Sequence, residues 1–493
     1  MDITAAVLAS FGEAWLAGGA LRDALLGRVF GDIDLAVPPS RGFEAALGRL
    51  ARRLGASCFP LDEANKVYRL TAPGSPPLQL DIMPFVGGTL AADLARRDFT
   101  INAMALRLEP GMKFSPKLKA GGFAFRPDRD KVEDPFCGLA DLRAGRIRPV
   151  SSGIFREDPV RLLRAFRLGA GLGFTLQPAA LKTIKAQAAL IGNTSPERVR
   201  EELMRLLESP VSHEWLALMH RCGLLCAVFP DLAAQEKCAV SYYGKGGVLT
   251  HTLRVVERCD HLFTDPASYL PCYEKAAPLL PRPRLMKLAA LLHDIAKPAK
   301  AAMVKGRLRF FGHEEHGAEM AEKVMEGLRF SRAEIRLVTA IIGTHLRPGN
   351  LAANDVISDR AMFRFFRSLG EYTVPLLALS WADHASYVTE VQLKRMKKKL
   401  KEEPNPLPPG LPYNSPRKTL RYMQVLGQLL CVYLKKDLPS RAARLVNGND
   451  VIKALRIPES PRIGEILERI QLLQFEGRIK TREQALKALK GMK

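Results

Sequence analysis

The stretch at residues 16–37, LAGGALRDALLGRVFGDIDLAV, limits what this chain can become more than any other. A short apolar run ends in Gly18-Gly19, Leu21, Leu25 and Leu26 mark one side of a helix, and Asp32-Ile33-Asp34 opens a second strand. Side chains alternate along a strand, so Asp32 and Asp34 share a face. Two carboxylates side by side repel unless a cation sits between them, which points to a divalent metal site. Paired glycines let the backbone approach a ligand closely, and the helix N-terminus that follows offers N–H groups to an anion. Phosphate cradle plus metal carboxylates reads as phosphoryl or nucleotidyl transfer. The competing reading, a glycine turn and an acidic loop, is weakened by the neighbouring glycines and Arg22.

At 493 residues the chain exceeds one compact core, so several domains are expected. Its 47% hydrophobic and 25% charged residues are those of a folded soluble protein. The 74 Lys and Arg exceed the 51 Asp and Glu by 23, an excess that calls for an anionic partner, nucleic acid first and a membrane surface second. No apolar run of about 18 residues appears, so no membrane span is expected. The start, MDITAAVLASFGEAW, has an early acid and no basic leader, unlike a secretory signal. The eight cysteines are scattered, and Cys222 and Cys226 lack a second pair to complete a zinc site. They read as thiols of a reducing cytoplasm, the expected location.

Along residues 1–110, strand signals at 66–72 and 78–83 follow a helical segment at 42–54. Asp81 is the strand-borne acid after Asp34, hence the natural third metal carboxylate; its alternative is a solvent-facing strand residue. Arg96, Arg97 and Asp98 lie beside an apolar segment with one embedded amide, Asn102. Buried charges and amides are costly unless paired, so this cluster reads as a site. Residues 110–133 have no periodicity and several Gly and Pro, the marks of a loop or an inserted hairpin. Pro159 suits the first turn of a helix with Leu162, Leu163 and Phe166 on its apolar face, while Asp158, Arg161 and Arg164 share another. A salt bridge explains such a set; a base-reading template is the more specific alternative. Cytosine and adenine each present an exocyclic amine beside a ring-nitrogen acceptor, which a carboxylate and an arginine match, whereas uracil and guanine reverse the pattern. Such a template selects CTP and ATP.

Residues 175–240 read as helical, with a capping signal at Ser195-Pro196-Glu197, and 248–390 are helical too and carry most of the histidines. A basic run at 393–401 is either a solvated helix face or an RNA contact. A proline-rich connector at 403–416 and two or three helices follow.

In order, LAGGALRDALLGR…DIDLA, DLARRDFTINAMAL, DPFCGLADLRAGRIRPV, REDPVRLLRAFRLGAGLGF and SPERVREELMRLL resemble consecutive motifs of one family. They are similar to those of the bacterial CCA-adding enzymes and poly(A) polymerases, the eubacterial-type tRNA nucleotidyltransferases, over residues 16–207. Residues 445–489 are similar to that family's C-terminal tRNA-binding segment, which favours tRNA over generic RNA ends. The resemblance implies that Asp32 and Asp34 hold catalytic Mg2+, and that Gly18, Gly19 and Arg22 hold the triphosphate. It implies that Arg97, Asp98 and Asn102 place the ribose and couple head to neck, and that Glu157, Asp158 and Arg161 read the incoming base. Glu197, Arg198 and Glu202 match a helix-bracing motif. Asp81 completes the expected catalytic set and Arg164 the nucleotide-binding one. The ions would lower the pKa of the RNA 3′-hydroxyl and stabilise the leaving pyrophosphate. Two departures stand out: residues 71–84 are short and proline-rich where members often carry a longer basic stretch, and 111–132 fall outside the family pattern.

A second constellation, His251, His293-Asp294, His313, His345 and Asp383, runs H…HD…H…H…D. Imidazole and carboxylate ligands on several helices can close around one or two divalent ions and leave positions for water and phosphate. LLHDIAKP and FFGHEEHGAE resemble the HD phosphohydrolase superfamily, a domain that some bacterial tRNA nucleotidyltransferases carry. A divalent transition metal or Mg2+ is expected there, either structural or serving an accessory phosphohydrolase. His316 and His384 are spare candidates that read more simply as surface or core histidines.

The expected fold is an α+β nucleotidyltransferase head at 1–150, a small mixed sheet with helices. A mainly α-helical remainder follows: a base-reading, RNA-supporting neck at 151–240, an HD metal-binding domain at 241–402 and a tRNA-binding tail at 403–493. The expected function is template-independent addition of CCA from CTP and ATP to tRNA 3′ ends, with tRNA as partner and no membrane. A poly(A) polymerase or A-adding enzyme shares every head motif and stands as the alternative. Two other classes are an HD-type phosphodiesterase with an RNA-binding head, and a non-catalytic RNA-binding protein.

Overall fold

The first sheet grows outward from the strand that carries the two acids. In the computed structural model, residues 2–63, 66–354, 356–412, 415–435 and 445–492 are described. They divide into two compact units, one of Met1–Glu202 with Arg221–Ala227, the other of Leu203–His220 with Val228–Lys493.

In the first unit, the first nine strands are β1 (Trp15–Ala17), β2 (Asp32–Val37), β3 (Ser57–Asp62), β4 (Val67–Ala72), β5 (Leu78–Pro84), β6 (Ala105–Arg107), β7 (Ser115–Lys117), β8 (Gly122–Ala124) and β9 (Val132–Glu133). Seven of them form a mixed sheet in the order β3-β4-β5-β2-β1-β6-β9, with β2 and β5 parallel and the other pairs antiparallel. β2 is central, and its Ile33, Leu35, Ala36 and Val37 are buried. The helix Phe43–Leu54 closes one face: Phe43, Leu47, Leu50 and Leu54 recur at helical spacing, and the Phe43 ring meets Tyr68 of β4 at 5.8 Å. β3 is exposed throughout, an edge strand containing Pro60, which the sequence pattern does not signal. The segment at 110–133 is a hairpin, β7 against β8. Helices Ile154–Glu157, Arg161–Leu172, Pro178–Gln187 and Pro196–Leu206 follow.

The second unit is helical. Gly247–Thr264, His313–Gly327 and Thr373–Ala385 carry His251, His313 and Asp383, while His293, Asp294 and His345 follow the C-terminal ends of Pro283–Leu292 and Arg332–Ile342. Their apolar faces meet in a core that includes Val255, Leu288, Ile341 and Trp381. A buried polar knot accompanies it: the Lys287 ammonium lies 2.6 Å from Asp260, which also accepts from Ser212 and from the backbone of His213. The last three helices, Gly448–Leu455, Pro461–Phe475 and Arg482–Lys490, enclose Val451, Ile466, Ile470, Ala485 and Leu489. Capping boxes start the first and third of them, at Asn447 and Thr481. Among the described residues no helix is long and apolar enough to cross a membrane.

Candidate active site and metal centre

β1 turns into the helix Gly18–Leu25 at Gly18, whose φ of +66° favours glycine. A Cβ there would lie 3.1 Å from Arg97 Nη1 and 3.2 Å from Asp34 Oδ2, so the glycine also makes room for the acid and the guanidinium. Ala17 provides no side-chain cap, and the Ala20 N–H of the first turn makes a long bond to Asp34 Oδ2 at 3.4 Å. Asp32 lies at the exposed start of β2 and Asp34 two residues inside. Burial first, then the neighbouring Asp81 charge, pushes the Asp34 carboxyl up to about 6, with Arg97 opposing. A carboxylate so disfavoured by its surroundings is one that a cation would relieve.

Asp81 stands opposite Asp34 in the parallel register of β2 and β5. It faces no solvent: both of its oxygens accept from Arg69, at 2.7 Å each, and the same guanidinium lies 3.5 Å from Asp32. Arg69 is a site residue that the sequence reading missed, because only the β4–β5 register brings it opposite Asp81.

Arg22 is clamped, with two bonds of 2.9 Å to Asp23 and one of 2.8 Å to Asn102 Oδ1. Asn102 donates in turn to Asp98 at 2.9 Å, and Asp98 pairs with Arg164 at 3.1 Å. Burial works against the Asp98 charge, yet Arg164 and the Asn102 amide hold its carboxyl below the usual range. Arg164 also binds Glu202 at 2.8 Å, and Arg167 joins Glu202 from the next turn. Arg164 is thus a brace between the DFTIN segment and the helix that carries Glu202.

The helix begins at Arg161 itself, so Asp158 precedes it and does not share its face with Arg164. Asp158 accepts both guanidinium nitrogens of Arg198, at 3.0 and 2.8 Å. Arg161 donates to the Arg96 carbonyl at 2.9 Å and lies 3.4 Å from Glu157, while its Nε is buried without an acceptor. That Nε lies 3.8 Å from Asp158 Oδ2, an ion pair too long for a hydrogen bond.

Asp93, absent from the sequence expectations, is fully buried. Its two oxygens hold Arg96 and Arg97, the latter through Nε at 3.1 Å and Nη2 at 3.0 Å, which leaves Arg97 Nη1 turned toward Gly18 and Asp34. An acid three and four residues before two arginines was the available signal. Asp93→Ala is expected to cost about 1–3 kcal/mol of stability and to slow nucleotide incorporation more than it weakens RNA binding. Thermal melts and single-turnover assays check both.

The second constellation closes completely. His251, His293 and Asp383 form one triad and Asp294, His313 and His345 another, with ligand atoms in each within 4.8 Å of one another. Asp294 Oδ2 lies 3.1 Å from His293 Nε2, and Asp294 Oδ1 lies 3.3 and 3.7 Å from the Nε2 atoms of His313 and His345. His293, His313 and His345 each direct Nδ1 at the carbonyl three residues earlier, on Ala290, Phe310 and Ile342, at 2.7–2.8 Å. His251 directs Nδ1 at Ser386 Oγ, 3.1 Å away. With Nδ1 bonded, Nε2 presents its lone pair inward.

The Nε2 atoms of His251 and His293, Asp294 Oδ1 and Asp383 Oδ1 are buried with no hydrogen-bond partner, the pattern of a donor set that fits divalent ions. Burial, with His293 nearby, lowers His345 to about 4, which keeps it neutral at pH 7. Lys297 Nζ stands 2.6 Å from Asp294 and donates to the Tyr243 hydroxyl at 2.8 Å. Tyr243 and Tyr387 both stack on His251, at 4.9 and 5.2 Å. His316 is at the surface beside Glu319, and His384 stacks on Tyr422 at 4.0 Å; neither joins the cluster.

Residues 62–148 match the family model described as the poly A polymerase head domain, and 173–236 one described as "Probable RNA and SrmB-binding site of polymerase A". Residues 248–387 match the HD domain. The CC-adding tRNA nucleotidyltransferase of Thermus thermophilus is 31% identical over 488 residues, covering 96% of this chain and 92% of that protein. The A-adding tRNA nucleotidyltransferase of Deinococcus radiodurans is 29% identical over 480 residues, covering 96% and 94%. In fold, the chain is similar to the Thermotoga maritima CCA-adding enzyme solved with tRNA, at a TM-score of 0.59 and 20% identity over 99% of this chain and 94% of that one.

Proposed function

This chain belongs to the tRNA nucleotidyltransferase family, and we propose that it adds CCA to tRNA 3′ ends without a nucleic-acid template, taking CMP and AMP from CTP and ATP and releasing pyrophosphate. The observation that carries the reading is the meeting of Asp32, Asp34 and the Gly18 turn at one end of β1 and β2, with the unsatisfied Arg161 Nε on the neck. The all-oxygen donor set of Asp32 and Asp34, with Asp81 behind them, suits Mg2+. When bound, that ion supplies charge neutralisation at the attacking and leaving oxygens. The chain's own groups do the positioning. The first-turn N–H groups after Gly18 and Gly19 receive phosphate oxygens, and Arg97, aimed by Asp93, adds a fixed positive charge beside them. Arg22, Asn102, Asp98 and Arg164 form a hydrogen-bonded line that holds the cradle helix to the neck. Asp158, oriented by Arg198, and Arg161 present the acceptor and donor that cytosine and adenine share. The reaction belongs in the cytoplasm, where tRNA and both nucleotides meet and where eight unpaired thiols persist.

Incubating tRNA that ends at its discriminator base with CTP and ATP, then sequencing the ends, tests the reading; ends bearing A tails alone overturn it. Arg161→Ala is expected to relax selection against UTP and GTP by about tenfold, the worth of one directed hydrogen bond, while triphosphate affinity changes less. Competition assays with all four nucleotides check this.

The orphaned ligand atoms of the HD cluster favour a second, accessory activity, hydrolysis of a phosphate ester. Its imidazole-rich set suits a divalent transition metal above Mg2+. Hydrolysis of a chromogenic phosphodiester by protein loaded in turn with Ni2+, Co2+, Mn2+ and Mg2+ checks it, and activity that survives His293→Ala refutes it.

A further inference from the structure

The hairpin at 109–131 has no part in the chemistry above, yet it is firmly built. Lys131 pairs with Glu109 at 2.7 Å and ties its two ends together. Ser115, Pro116 and Lys117 stand opposite Ala124, Phe123 and Gly122. Phe123 exchanges both backbone hydrogen bonds with Phe30, at 3.0 and 2.8 Å. A Cβ at Gly122 would lie 2.5 Å from the Phe30 carbonyl oxygen, so this contact demands glycine. Beneath it, Phe114 stacks on Phe125 at 5.1 Å and meets Phe30 edge-on at 6.4 Å, and all four phenylalanines are buried. Arg129 donates to the carbonyl of Leu25, the last residue of the cradle helix, at 3.0 Å. The hairpin is therefore seated on the segment between the phosphate cradle and Asp32.

Its outer part is different in kind. Residues 110–127 contain no acid. Lys113, Lys117, Lys119 and Arg126 are exposed, none forms an ion pair among the described residues, and Leu118 between two of the lysines is 66% exposed. Even on the basic helix at 390–402, by contrast, acids pair with two of the lysines, Glu390 with Lys394 and Glu402 with Lys398. Four unpaired cations on a rigid support repel one another, a cost that a polyanion removes. Four exposed cations spread along one hairpin with no carboxylate among them suit successive phosphates of a chain rather than one small anion.

We propose that this hairpin is a finger that grips the phosphate backbone of the substrate tRNA; the inference rests on the function proposed above. The test is tRNA binding by the full-length protein across a salt series, with Lys113→Glu, Lys117→Glu and Lys119→Glu combined. Each phosphate contact contributes about 0.7–0.9 to the slope of log affinity against log salt. The triple variant is expected to lose about 2 from that slope and about tenfold in affinity at 0.1 M salt, with CMP incorporation at saturating tRNA unchanged. The three side chains are exposed, so folding is not at risk; a Lys→Gln version with the same direction of change confirms that loss of positive charge suffices. The same reversal at Lys300, Lys305 and Lys323, exposed on the other unit, is expected to cost less. Equal losses from both sets reduce the effect to net charge and overturn the proposal, as does an unchanged slope, the outcome if an acidic protein is the true partner. Parent protein that binds no tRNA at any salt concentration instead refutes the functional reading itself.

Discussion

Asp32→Ala and Asp34→Ala are each expected to reduce nucleotide incorporation by about 10³-fold or more, several kcal/mol of lost charge stabilisation, while tRNA affinity changes less than about twofold. The two effects should separate because, in the proposed reaction, these carboxylates serve the reacting phosphate and the RNA is held elsewhere. Stability is expected to move the other way at Asp34. Burial and Asp81 push its carboxyl from 3.8 up to about 6, so the folded protein holds the proton more tightly than the unfolded chain. Its contribution to stability is full below about pH 3.8 and is lost as the pH rises through 6. Asp34→Asn removes that loss. In chelator, its melting temperature relative to the parent should rise between pH 4 and 7 and level off above. A constant difference across that range would mean that Asp34 is not strained by its neighbours. The site then resembles others in which function is retained at a cost in stability.

Asp294→Ala is expected to carry the largest stability loss in the helical unit, about 3–5 kcal/mol. Asp294 is fully buried and lies within 3.1–3.7 Å of ring nitrogens of His251, His293, His313 and His345 and 2.6 Å from the Lys297 ammonium. Burial opposes its charge, but His293 and Lys297 hold the carboxyl well below the usual range. Without it, Lys297 is left as a buried cation with no carboxylate in contact. Bound divalent metal, measured by elemental analysis, should fall with it. Adding Lys297→Met should restore much of the lost stability in chelator, because the unpaired charge goes, but none of the metal. Recovery of the metal in that double variant would remove Asp294 from the ligand set.

The parts of this molecule that could be read in advance are those whose chemistry is set by residue type and short spacing. The Gly18-Gly19 turn with Asp32 and Asp34 is one, and the order of His251, His293, Asp294, His313, His345 and Asp383 is the other. A strand holds Asp32 and Asp34 two residues apart, and the helices of the second unit bring the six residues of the other set together. Pairings set by the sheet were not legible. Arg69 reaches Asp81 through the β4–β5 register, and Arg198 reaches Asp158 across forty residues. The start of the helix at Arg161, two residues after Pro159, separated Asp158 from the face that spacing assigned to it. β3 gave no signal because an edge strand exposed on both sides has no alternation to display.

The three imidazoles tied to the carbonyls of Ala290, Phe310 and Ile342 have a consequence for how such a centre persists through sequence change. Each of these three rings is aimed by a turn of its own backbone, not by a partner side chain elsewhere in the fold. Substitutions around the centre should therefore leave the three rings pointing inward as long as those turns hold. These rings are separately aimed parts, so the aromatic walls of the centre can change without re-aiming them.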